Sequence, residues 1–177
     1  MFNFIKTRTQ KQAKTQKIYT AIKNMKDIFS KGFEVTDTTT GQIVNISCFM
    51  HDLPAETGLT IYDYCRLLLK DFYSTLDSIT DKVAFLTVLS LGSFSDDDIY
   101  NTFYLPSTAD CMRVYKKIEK KLKRRQRITV TFSLGNNHYS HDPYDITAYD
   151  ITVDFFSAKP IYCKYWDTEG IQYVERY

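Results

Sequence analysis

The sequence predicts an α+β fold: a basic N-terminal helix or arm, a β-hairpin, a helical middle, and a C-terminal antiparallel meander of about four strands. Three observations predict it. Outside a short alternating hairpin stretch, apolar residues recur at three- and four-residue spacing through about residue 126, and from Arg127 onward the period switches to two. Side-chain caps and single glycines stand at the ends of the helical stretches. The last strands are joined by short turns, which only antiparallel neighbours allow.

Residues 1–17 are polar and basic. Ile18, Ile22, Met25 and Phe29 then form one stripe, which predicts a helix over about 8–31 stopped by Gly32, its first half frayed or held only by a partner. Phe33–Asp37 alternates in and out. After the turn Thr38-Thr39-Thr40-Gly41, Val44, Ile46 and Cys48 share a face, so the pair reads as a hairpin. Thr60 followed by Asp63 resembles a capping box, and behind it Tyr64, Cys65, Leu68, Phe72, Leu76 and Ile79 make a helical stripe. Thr80-Asp81 is read as the cap of a nearly all-apolar helix, Val83–Leu91, closed by Gly92. A buried strand is the alternative for that run.

Ser95-Asp96-Asp97-Asp98 opens a short helix with carboxylates at the positive end of its dipole. Pro106-Ser107 with Asp110 starts another, whose stripe is Val114, Tyr115, Ile118 and Leu122 and whose C-terminal end is cationic. Ile128, Val130, Phe132 and Leu134 then share a strand face. A polar loop 135–145 follows, then strands over 146–156, 161–166 and 171–176. Residues 1–31 form the helix or arm, and 32–177 a single domain, helical over about 60–126 and a meander over about 127–177.

The net charge of +2 conceals segregation: residues 1–31 carry +7, 32–112 carry −9, 113–127 carry +8 and 128–177 carry −4. Such alternation suggests either contact with a polyanion or complementary packing between segments or subunits. Arg113, Lys116, Lys117, Lys120, Lys121, Lys123, Arg124, Arg125 and Arg127 surround a narrow apolar stripe with Glu119 as the sole acid among them. A plainly solvated helix back has no need of so many cations. They are read as contacts to nucleic-acid phosphates or to an acidic protein surface, joined by Lys6, Arg8, Lys11, Lys14 and Lys17 of the arm. On the final sheet, Tyr162, Lys164 and Trp166 place ring, cation and ring on one face, a candidate interface, while Ile161, Cys163 and Tyr165 turn toward the helices.

No catalytic constellation stands out. The six glycines all stand singly, which removes the clustered loops that let backbone N–H groups wrap a phosphate. No elbow motif surrounds any Ser or Cys. Cys48 with His51 and His138 with His141 and Asp142 would have to meet from separate loops to hold zinc, and read better as polar turns. Asp96–Asp98 as a magnesium site would make a metal-dependent hydrolase, but their place in a first helical turn explains them without chemistry. No cofactor and no metal is expected.

The four cysteines are far apart and read as reduced, mostly buried thiols. No run approaches the roughly 20 apolar residues of a membrane span, nor the leader of a secreted protein. The expectation is an intracellular, non-enzymatic binding or assembly protein of the host-cell cytoplasm or a virion. Scarce Gly and Pro with abundant Tyr, Thr and Lys are compatible with a small phage or mobile-element accessory protein. The alternatives are a component of a multi-subunit assembly such as a virion connector, a homo-oligomer, or an inhibitor clamped to a host enzyme.

Overall fold

A computed structural model of the chain describes residues 2–46, 59–94, 103–135, 148–166 and 169–177. Within them the architecture is α+β, in the order read from the sequence. Helix α1 (Phe2–Lys31) leads into the hairpin β1 (Phe33–Thr36) and β2 (Ile43–Ile46). Helix α2 (Ile61–Arg66) continues through a π-helical stretch (Leu67–Phe72) into the single turn α3 (Tyr73–Thr75). Helix α4 (Ile79–Leu91), the two-residue strands β3 (Ser93–Phe94) and β4 (Phe103–Tyr104), and helix α5 (Thr108–Lys123) complete the middle. Strands β5 (Thr129–Gly135), β6 (Ala148–Asp154), β7 (Lys159–Trp166) and β8 (Gln172–Arg176) follow in sequential antiparallel order.

Helix α4 is the hub. Its residues Val83–Leu89 are all buried, Thr87 included, because the Thr87 hydroxyl donates to the Val83 carbonyl at 2.7 Å. An amphipathic helix needs one partner, whereas this one is covered by α1, by α5 and by β5. The alternative of a buried strand for this run is thereby replaced by a helix. Phenylalanines weld the layers: Phe29 of α1 lies 5.7 Å from Phe85 and 5.6 Å from Phe103, and Phe72 lies 5.1 Å from Phe85 and 4.3 Å from Phe33.

Several local expectations need correction. Helix α1 runs from Phe2 rather than from about residue 8, since Gln10–Lys14 are good helix formers with no breaker before them. Its end agrees, with Gly32 in the left-handed region at φ 76°. The cap of α4 is Ser78, not Thr80: the Ser78 hydroxyl oxygen accepts from the Asp81 N–H at 3.0 Å. Ile79 therefore opens α4 and is 54% exposed instead of closing the preceding stripe.

Gly92 does close α4, but with φ −69°, so it is no left-handed cap. A side chain there would land on the ring of Phe103, and close approach is what requires glycine. The strands β6, β7 and β8 are bounded at 148–154, 159–166 and 172–176, shifted by one or two residues from expectation.

The helix after Thr60 departs most from the expected α-helical stripe. Its capping box is present, with the Thr60 N–H donating to Asp63 at 3.0 Å and Asp63 N–H to the Thr60 hydroxyl at 3.2 Å. From Leu67 the turn widens, and the Tyr73 N–H reaches back to the Leu68 carbonyl. An α-helix would set Arg66 and Asp71 about 140° apart. The wider turn stacks them, and Arg66 Nη1 meets Asp71 at 2.7 Å.

The same guanidinium grips Asp37, at the end of the hairpin's first strand, through two bonds of 2.8 and 3.0 Å. Asp37 also accepts the Thr39 N–H at 2.7 Å, and Asp71 accepts the Thr38 hydroxyl at 2.7 Å. Both carboxylates are 4% exposed, so Arg66 fastens the hairpin turn to the π-helical stretch in a partly dry setting. The Arg66 guanidinium holds the Asp37 carboxyl far below the usual carboxylate range.

A candidate polyanion interface on helices α1 and α5

Helix α5 begins where Ser107, extended after Pro106, accepts the Asp110 N–H at 3.3 Å. Cys111, Tyr115 and Ile118 recur at four and three residues, and all three are buried toward the core. That fixes which way the helix faces. Arg113, Lys116, Lys117, Lys120 and Arg124 fall within about 100° of arc on the opposite side and are exposed. Lys121 lies half-exposed on the flank of this ridge.

Among the described residues, three of the nine cations form ion pairs. Arg113 meets Asp110 at 2.8 Å, Lys123 meets Glu119 at 2.9 Å, and Arg127 meets Asp154 of β6 at 3.3 Å. The carboxyls respond: Glu119 is held low by Lys123 and Asp110 by Arg113, while Asp154 is lowered first by the Ser157 N–H and then by Arg127. Lys116, Lys117, Lys120, Lys121, Arg124 and Arg125 form no ion pair with a described residue.

The helix closes in a Schellman motif. Gln126 N–H donates to the Lys121 carbonyl at 3.0 Å and Arg125 N–H to the Leu122 carbonyl at 3.1 Å, with Arg125 itself at φ 51°. Glycine is the ordinary occupant of that left-handed position. Here it is a cation.

Helix α1 divides in two. Ile18, Ala21, Ile22, Met25 and Phe29 are buried against the core, whereas every residue from 8 to 17 is exposed. Arg8, Lys11, Lys14 and Lys17 stand on that outer half, and Lys6 belongs to the same helix. Lys14 reaches Glu119 at 3.6 Å, so Glu119 receives one cation from each helix and the two basic segments meet there. Further along, the Tyr19 hydroxyl and the Thr108 hydroxyl lie 2.9 Å apart beside a cleft of about 260 Å³ that is also lined by Ile22, Lys23, Lys26, Leu105 and Cys111.

Tyr162, Lys164 and Trp166 share one face of β7, each half-buried, with the Lys164 ammonium 5.9 Å from the Tyr162 ring centre. Lys164 stands between Asp150 on β6 and Val174 on β8. Of the opposite face, Cys163 is buried and Tyr165 stacks on Tyr173 at 5.2 Å. Burial pushes the Cys65 thiol up to about 12 and the Cys163 thiol up to about 11.

The short helix read at Ser95–Asp98, and the groups at Cys48, His51, Asp96–Asp98, His138, His141 and Asp142, lie outside the described residues. Among the described residues no cluster of His, Cys, Asp and Glu could hold a metal ion, and no helix is long and apolar enough to cross a membrane. Comparisons with protein-family models, with curated proteins and with solved structures found no match.

Sequence reasoning missed the Arg66 network. Its signal was a lone arginine between Cys65 and Leu67, in a stretch with only two other cations. A charge inside an apolar run calls for a buried partner.

Proposed function

We propose that this chain is a non-enzymatic binding module that engages the phosphates of nucleic acid through α5 and the outer half of α1, without reading base sequence. One observation carries it: six cations, Lys116, Lys117, Lys120, Lys121, Arg124 and Arg125, stand on the outer side and at the C-terminal end of a helix anchored by its opposite face, with no ion pair to a described carboxylate. Like charges this dense repel one another, and a polyanion that takes their place beside water and counterions gains counterion release.

The outer half of α1 supports the same reading. Arg8, Lys11, Lys14 and Lys17 are spaced at i,i+3, a repulsive arrangement, and no acid precedes Asp27. A polar helix that touches little of its own fold is marginal in water until something covers it.

The test replaces Lys120, Lys121, Arg124 and Arg125 by Ala and measures nucleic-acid affinity across salt concentrations. The slope of log affinity against log salt should flatten by between 3 and 4, at about 0.9 for each phosphate that is no longer neutralised. An unchanged slope removes the reading. A second reading, assembly with another protein or a second copy, rests on β8: it is an edge strand, and all five of its residues are exposed, Val174 at 54%. Light scattering during size exclusion at low and high salt separates the two. A salt-insensitive monomer speaks against assembly, and copurifying nucleic acid speaks for the first reading.

A further inference from the structure

We infer that the polyanion this surface fits is a double-stranded nucleic acid, engaged along its backbone, rather than a single strand; the inference rests on the nucleic-acid reading above. The first argument is geometric. Arg113 to Arg124 span about 16 Å of helix axis, and their five ridge cations share one side within about 100°. Buried Cys111, Tyr115 and Ile118 hold that side in a fixed direction. A rigid row of charge matches a rigid row of charge. A duplex offers about one phosphate per 1.7 Å of its axis in fixed positions, whereas a single strand offers half that density and must lose flexibility to align.

The second argument is chemical. Proteins that hold single strands set aromatic rings among their cations, so that successive bases stack on them. Among the described side chains no such ring stands on the ridge: Tyr115 is 2% exposed, pointing into the core, and Phe29 of α1 is 7% exposed. Tyr19 is 43% exposed but stands at the far end, against Thr108. Phe156, on the turn after β6, is 52% exposed and packs edge-on to Phe155 at 5.2 Å; one ring makes no platform for consecutive bases. From Arg113 to Arg125, the outward positions other than Glu119 are Lys or Arg. None offers the paired donor and acceptor of Asn or Gln that reads an adenine edge.

The experiment is fluorescence anisotropy of the full chain with three labelled probes: a DNA duplex, an RNA duplex of the same length, and one strand of the DNA alone. Salt runs from about 50 to about 200 mM. A duplex should bind at least about tenfold more tightly than the strand, with a log–log salt slope of about −5 or steeper for the six cations of α5 that form no ion pair with a described residue. Binding of both duplexes, or of either one, supports the inference and identifies which helix form is taken. A strand that binds as tightly as the duplexes overturns it and leaves the nucleic-acid reading standing. No binding of any probe at the lowest salt overturns both.

Discussion

Arg125 sits where the backbone turns left-handed, at φ 51°, and a side chain costs about 1 kcal/mol there that glycine avoids. Arg125→Gly should therefore raise the stability of the fold by about 1 kcal/mol. It should also weaken polyanion binding and lower the salt slope by about 1. Chemical denaturation and a salt titration on the same variant check both signs. A variant no more stable than the parent would mean that the arginine relieves its own strain through interactions on the protein. The nine cations of this region were legible as residues, because a basic run needs no tertiary knowledge. Which of them pair was not: Asp154, the partner of Arg127, arrives from a strand 27 residues further along.

At the scale of elements, Arg66 decides whether the hairpin and the π-helical stretch hold together. Arg66→Met would leave Asp37 and Asp71 buried without their cation, a loss of about 3–5 kcal/mol at neutral pH. Asp37 titrates far below its unfolded value, so its contribution is complete above an unfolded pKa of about 3.9 and fades as the pH falls toward the folded one. The stability gap between parent and variant should accordingly narrow on acidification below about pH 4, as thermal melts across a pH series would record. A gap that stays constant would assign the loss to packing. Helix α5 was legible throughout because Ser107, Asp110 and the Cys111–Ile118 stripe are local signals. The cap of α4 was only half legible, because Thr80, adjacent to Asp81, competes in the sequence with Ser78 at the three-residue spacing that the fold uses. The π-helical turn was not legible, since the network around it is completed by Asp37, a carboxylate 29 residues earlier in the chain.

For the molecule as a whole, cohesion and exposed charge lie in different places. The core gathers Phe29, Phe33, Phe72, Phe85 and Phe103, whereas exposed cations line α5 and the outer half of α1. Backbone amides over 8–17 should exchange with solvent much faster than those over 18–31 of the same helix, because only the latter are held by buried side chains. Adding a duplex should slow the first group and leave the second unchanged, by hydrogen-exchange mass spectrometry. Equal rates in both halves without ligand would show that something else restrains the outer one. The order of the main elements and the final meander followed from period and turn length, both visible along the chain.

Every residue over 8–17 is exposed and the buried stripe of a helix about 45 Å long begins at Ile18, so residues 8–17 form a rod clamped at their C-terminal end. Whatever evolution or an engineer splices before Lys17 would ride on that rod, and its length could drift without disturbing the folding of the body behind it.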